Sequence, residues 1–161
     1  QVIDDTTFIG GYESKHMTMI ENISRLSYSM YLNEEAYNAL KQMYDDLYKN
    51  TKKRFLVTSA YKSYDVLNLE ENTSQAGYSE FQLGTSVSLK VNGIKDVEFV
   101  STDVYQWLLE HSYEYGYVLR YPSDKVTITQ KESCNIFRYV GKENAQKMHN
   151  QNLCLEELNN Q

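Results

Sequence analysis

After Asn33, apolar side chains recur at three- and four-residue intervals: Tyr37, Leu40, Met43, Tyr44, Leu47 and Tyr48, with Lys41, Asp45 and Asp46 on the opposite side. That period predicts an amphipathic helix. Asn33 suits its N-cap, and Glu34 and Glu35 sit where the helix dipole favours negative charge. The aromatic and methionine stripe reads as core packing, not as a ligand site. Phe55, Leu56 and Val57 form a short run expected to be a buried strand, ending in Thr58, Ser59, Ala60 and Tyr61. A loop rich in Asn, Glu, Ser and Gly is expected next. From Thr85 to Val91 the pattern alternates, with Val87, Leu89 and Val91 on one face and Ser86, Ser88 and Lys90 on the other. This second face must look into solvent or a cleft.

Ser101 and Thr102 are caps for a helix carrying Val104, Trp107, Leu108 and Tyr115, which Gly116 is placed to end. Tyr117 to Tyr121 reads as a strand stopped by Pro122, and Ile136 to Val140 as another. Gly141 makes a turn into a short helix over Lys142–His149, leading to Leu153, Leu155 and Leu158. The pattern is α+β with a small, mainly antiparallel sheet flanked by helices. Neither a repeat nor a glycine-serine linker divides the chain, so residues 33–161 are expected to form one domain, preceded by a packed or partly extended arm over residues 1–32.

At 161 residues, with 41% hydrophobic and 24% charged residues, the chain can bury a sizeable core without a disulfide framework. Cys134 and Cys154 allow one bridge and equally allow two thiols. Sixteen basic residues against 22 acidic ones give a formal charge of −6, and the basic residues are dispersed, so nucleic acid is not an expected partner. No apolar stretch approaches the roughly twenty residues that span a bilayer. A start at Gln1 without methionine reads as a mature or trimmed chain.

Residue types alone point to no centre of chemistry. His16, His111 and His149 are far apart, with no pair at helical ligand spacing, and no CxxC pair exists. There is no GxSxG elbow, and Gly10-Gly11 stands alone where a phosphate loop would need more glycines. Glu34-Glu35 and Glu156-Glu157 read as solvated helix faces.

Three segments together do carry a resemblance. Ser59-Ala60-Tyr61-Lys62-Ser63-Tyr64 is similar to S-A-Y-R-S-Y, and the run from Gly77-Tyr78-Ser79-Glu80-Phe81-Gln82-Leu83-Gly84 to Ser88 is similar to G-Y-S-E-H-Q-x-G-x-A-V-D. Tyr115-Gly116-Tyr117-Val118-Leu119-Arg120-Tyr121-Pro122, Arg138-Tyr139-Val140-Gly141 and Leu155-Glu156-Glu157 follow in the order Y-G-F-x-L-R-Y-P, R-Y-V-G and L-E-E. The set resembles the VanY-type D,D-carboxypeptidases, in the zinc peptidase superfamily that includes lysostaphin-like enzymes and hedgehog domains. The resemblance implies a hedgehog/D,D-peptidase-like fold and an extracellular or cell-surface address, reached through an export or anchoring segment before Gln1. The implied partner is a peptidoglycan stem peptide or a cell-surface protein.

In such enzymes a histidine and an aspartate of the second motif bind zinc, and a closing E-P-W-H supplies a glutamate and the last histidine. Counted onto this chain, those four working positions hold Phe81, Ser88, Ser133 and Ile136. The expectation is therefore a pseudoenzyme without metal or cofactor, acting as a cell-wall peptide-binding or protein-interaction module. Its candidate ligand-binding residues are Tyr61, Lys62, Tyr64, Tyr78, Ser79, Gln82 and Arg138, with Lys62 standing where the family has an arginine associated with the substrate carboxylate. The alternative is an active peptidoglycan carboxypeptidase with a relocated or altered metal site, drawing on His16, His111 or His149.

Overall fold

Asn33 starts helix α1 (Glu34–Thr51) by accepting, at Oδ1, the backbone N–H groups of Glu35 (3.1 Å) and Ala36 (3.5 Å). In this computed structural model, which describes residues 2, 9–70 and 76–161, α1 buries Ala36, Leu40, Met43, Tyr44 and Leu47, the face that the periodicity marks. Tyr48 stays at the surface, where the Arg54 guanidinium covers its ring at 4.0 Å.

Four strands form the main sheet: β3 (Leu56–Ser59), β4 (Ser86–Lys90), β5 (Tyr117–Tyr121) and β6 (Ser133–Tyr139). They lie in the order β3-β4-β6-β5, with every neighbouring pair antiparallel. Val57, Val87, Leu89, Tyr117 and Phe137 point to one face and share a core with α1 and with Val104 and Leu108 of α4 (Asp103–His111). Thr102 caps α4 through its hydroxyl, which accepts from Tyr105 N–H at 3.1 Å. The single helix expected up to Tyr115 is shorter: α4 ends at His111, and a 3-10 turn over Ser112–Tyr115 carries the chain to Gly116 at φ 87°. A Cβ there would stand 2.8 Å from the Tyr139 ring and 3.0 Å from the Gly141 carbonyl carbon.

The opposite face of the sheet carries Ser86, Ser88 and Lys90 from β4, Ile136 and Arg138 from β6, and Val118 and Arg120 from β5. It is covered in part by α6 (Lys142–Gln151) and α7 (Leu155–Asn159), which pack Ala145, Met148 and Leu155 on Val118. Short helices α3 (Asp96–Phe99) and α5 (Val126–Thr129) lie in the connections that follow β4 and β5.

One stretch departs from the expected loop. The loop expected after Tyr61 contains a helix, α2 (Tyr64–Leu69): Ser63 Oγ accepts from Val66 N–H at 3.3 Å, and Leu67 is buried. Residues 71–75 of that expected loop, and residues 1 and 3–8 of the expected arm, lie outside the described residues. Part of the described arm packs into the core. Strand β1 (Met17–Met19) pairs with β2 (Tyr31–Asn33), and Ile20, Ile23, Met30 and Leu32 are buried. Ser24 and Leu26 also exchange backbone hydrogen bonds with Val57 on the edge of β3, each at 2.8 Å. Cys134 and Cys154 are both free thiols.

Candidate functional site

Strand register lines up the floor of a cleft. Ser59 of β3 is opposite Ser88 of β4, and Ser88 is opposite Ile136 of β6, so one row crosses three strands on the face away from α1. Around this row the cleft is completed by Leu26, Thr58, Phe81, Lys90, Asp96, Ser133 and Asn135. Its lining is mixed: Leu26, Phe81 and Ile136 are apolar, the hydroxyls and the Asn135 amide are hydrogen-bonding groups, and Lys90 and Asp96 are the charged side chains among the described residues.

Phe81 is carried into the cleft by a 3-10 turn over Glu80–Leu83. Ser79 Oγ caps this turn by accepting from Phe81 N–H at 3.3 Å, and Gly84, at φ 72°, ends it. Three attachments hold the turn. Lys62 N–H donates to Phe81 O at 3.2 Å. The wholly buried Gln82 donates from its side-chain amide to Gly10 O (2.7 Å) and Tyr12 O (2.9 Å) and accepts from Gly77 N–H (3.0 Å). Glu80 points inward between two strand arginines. Its carboxylate accepts from Arg138 Nη1 (2.5 Å), Arg120 Nε (3.2 Å) and Ser86 Oγ (2.9 Å). Burial pushes the Glu80 carboxyl up, but the Arg138 and Arg120 charges and the hydrogen bonds from Arg138 and Ser86 outweigh it and hold the group below the ordinary carboxylate range.

The sequence candidates fall into two groups. Lys62 lies beside the cleft wall, its Nζ 6.0 Å from the Phe81 ring centre, and donates to both Glu70 carboxylate oxygens at 2.9 and 2.8 Å. Tyr61 precedes it, tied to the arm by its N–H to Tyr31 O at 3.0 Å; burial, then Glu13 and Tyr12, raise its phenol pKa. Tyr64 opens α2, and Tyr78 is half-buried ahead of the turn. Ser79, Gln82 and Arg138 lie behind the cleft wall as supports of the turn and the sheet. Sequence reasoning did not single out Leu26, Thr58, Lys90, Asp96 or Asn135. Two signals for them were present: the alternation that turns Ser88 and Lys90 to one face, and the count that puts Asn135 beside Ile136.

The comparisons with known proteins bear on this geometry. The family model VanY, D-alanyl-D-alanine carboxypeptidase, matches residues 66–142. A D-alanyl-D-alanine carboxypeptidase of Enterococcus faecium is 32% identical over 152 residues, covering 89% of this chain and 49% of that protein. The chain carries a VanY D-alanyl-D-alanine carboxypeptidase family domain. The putative carboxypeptidase YodJ of Bacillus subtilis is 34% identical over 145 residues, covering 79% of this chain and 53% of that protein. The chain thus spans about half the length of these two relatives. Among solved structures, the LdcB LD-carboxypeptidase, described for peptidoglycan recognition, superposes with a TM-score of 0.88 at 28% identity, over 98% of this chain and 84% of that one. The vancomycin resistance D,D-pentapeptidase VanY, solved with Zn(II), gives 0.78 at 26% identity, over 98% and 97%. Mixed helices and antiparallel sheet in this arrangement are the peptidase-like fold of those structures.

These findings correct the expectation that the chain is not an enzyme. Its relatives are named carboxypeptidases, and the VanY family is enzymatic. The expectation rested on a motif count at Phe81, Ser88, Ser133 and Ile136, and four counted positions are a weaker guide than relatives that are named as enzymes.

Zinc itself can be tested against the residues present. Phenyl and sec-butyl groups offer no lone pair, and hydroxyls bind zinc poorly beside imidazole or carboxylate. Among the described residues no three His, Cys, Asp or Glu side chains gather where one ion could be held. The cleft lining therefore does not fit zinc held by three strong donors. The histidines lie elsewhere: His111 contacts Glu114 at 3.0 Å, His149 stacks on Tyr113 at 3.8 Å between ring centres, and His16 leads into β1.

Proposed function

We propose that the chain acts at the cell surface on the C-terminal end of peptidoglycan stem peptides, as a carboxypeptidase with an altered site in the cleft over β4 and β6. The observation that carries this reading is the row Ser59–Ser88–Ile136 under Phe81, a floor that offers hydrogen-bonding hydroxyls beside an apolar wall. The methyl group of a terminal alanine suits Phe81 and Ile136, the peptide backbone suits Ser59 and Ser88, and a terminal carboxylate suits Lys90. Lys62 already faces the Glu70 carboxylate, so Lys90 is the better cation for the substrate. Among the original candidates, Tyr61, Lys62, Tyr64 and Tyr78 flank the approach, while Ser79, Gln82 and Arg138 hold the wall.

The test is release of terminal D-alanine from synthetic stem peptides, one ending in D-Ala-D-Ala and one shortened by a residue, followed by chromatography with added zinc and with chelator, alongside calorimetric titration of both. Release from either peptide, with Lys90→Met weakening binding about tenfold, or roughly 1.4 kcal/mol, is the expected result. Binding without release overturns the carboxypeptidase assignment, and absence of both overturns the substrate class as well.

A further inference from the structure

The charged cluster behind the cleft wall joins elements that are distant in the chain. Arg120, 1% exposed, donates a bidentate pair to Glu156 of α7, Nη1 to Oε2 at 3.0 Å and Nη2 to Oε1 at 2.8 Å, while its Nε donates to Glu80 at 3.2 Å. Arg138 closes the cluster from β6 by its contact with the other Glu80 oxygen. Guanidinium groups and carboxylates thus meet within a desolvated space, where each depends on the geometry of the others. A guanidinium is planar, so the fork that fixes two of its nitrogens on Glu156 also fixes where the third one points.

We propose that Glu156 is a positioning residue for the cleft: through Arg120 it sets the place of Glu80 and so of the turn that carries Phe81. The geometry makes the C-terminal helix a remote part of the cleft wall. Glu80 is adjacent to Phe81 in the chain, and the Phe81 carbonyl in turn holds the Lys62 N–H at 3.2 Å. Without Glu156, Arg120 loses the bidentate partner on α7 that orients its guanidinium, and its Nε contact to Glu80 loses that constraint. Both the turn and the Lys62 backbone are then held less firmly, by Gln82 and by the Arg138 and Ser86 contacts to Glu80. Glu157, the next residue, is the control: its carboxylate accepts from Cys154 N–H at 2.8 Å and pairs with Lys125 at 2.9 Å, which serves α7 itself.

The experiment is residue-resolved amide hydrogen exchange on the full chain without peptide, comparing the parent with Glu156→Gln, Glu156→Asp and Glu157→Gln. Glu156→Gln is expected to accelerate exchange at Lys62, Gln82 and Gly84 by at least about tenfold while amides in the middle of α1 stay within about twofold, a local opening distinct from global unfolding. Glu156→Asp keeps the charge on a shorter stem and is expected to restore part of the protection; it carries the test if Glu156→Gln does not fold. Acceleration spread evenly over the chain, no change at the three turn amides, or an equal effect from Glu157→Gln overturns the proposal. Because exchange is measured without peptide, failure of this coupling is separate from failure of the proposed substrate.

Discussion

Replacing Glu80 with glutamine tests the electrostatic account of the turn most directly. The substitution keeps shape but removes the charge, and it sets an amide NH2 where a carboxylate oxygen now accepts from Arg138, Arg120 or Ser86. With side-chain exposures of 4% for Glu80 and 0% for Arg120, water cannot screen the loss. Removing one partner from a buried ion pair costs about 3–5 kcal/mol, since the remaining guanidinium charge is left under-compensated. For a chain of this length that is a fall in Tm of roughly 6–20 °C, at about 2–4 °C per kcal/mol. Urea unfolding followed by Trp107 fluorescence should show a lower midpoint at unchanged slope. The pH dependence supplies an internal check. The folded-state pKa of Glu80 lies below its unfolded value, so its stabilisation is present above the unfolded pKa and is lost as pH falls through the folded one. The parent should therefore approach the variant in acid, as pH falls below the ordinary glutamate range towards the lower folded pKa. A gap under about 1 kcal/mol near neutrality, smaller than even a modest buried ion-pair loss, or a gap that persists unchanged in acid, would refute the reasoning.

Three further outcomes are expected. Gln82→Leu leaves the Gly10 and Tyr12 carbonyls and the Gly77 N–H without their amide partner, at about 1–3 kcal/mol for each group left unsatisfied, and limited proteolysis should cut the arm around residues 9–16 faster; an unchanged cleavage rate counts against the latch. Gly116→Ala should destabilise more than Gly84→Ala, because the new Cβ at 116 meets backbone at 3.0 Å, whereas at 84 it meets the movable ends of Ser14 and Met17; the reverse order in urea melts would contradict the packing. Thiol titration should find Cys134 reactive in the folded chain, slowed by a pKa that burial raises, and Cys154 reactive only on unfolding; fewer than two thiols in denaturant would disprove the free pair.

Local chemistry made much of this fold legible. Asn33 caps α1, Thr102 caps α4, Gly116 takes a positive φ, and the alternation of β4 places Val87 and Leu89 in the core with Ser88 and Lys90 on the cleft side. These signals work because a cap, a turn or an alternation is complete within a few residues. What stayed hidden depends on partners far away. Gln82 and Arg138 read as ligand-binding side chains, since nothing in their neighbours reveals that one closes on Gly10 and the other on Glu80. Lys62 likewise reads as a waiting cation until α2 brings Glu70 to it. The cleft itself arises from strand register, which no single segment contains.

The grip of Gln82 on the arm has a consequence for how the chain is made. Gln82 follows Gly10 by 72 residues, so during synthesis at about 5–20 residues per second the arm emerges roughly 4–14 s before its clasp exists. Through that interval Ile20, Ile23 and Met30, all destined for the core, have no sheet to cover them. The arm can be latched only once the Ser79–Gly84 turn has left the ribosome, and its apolar residues wait longer still, for β5 and β6 to complete the sheet.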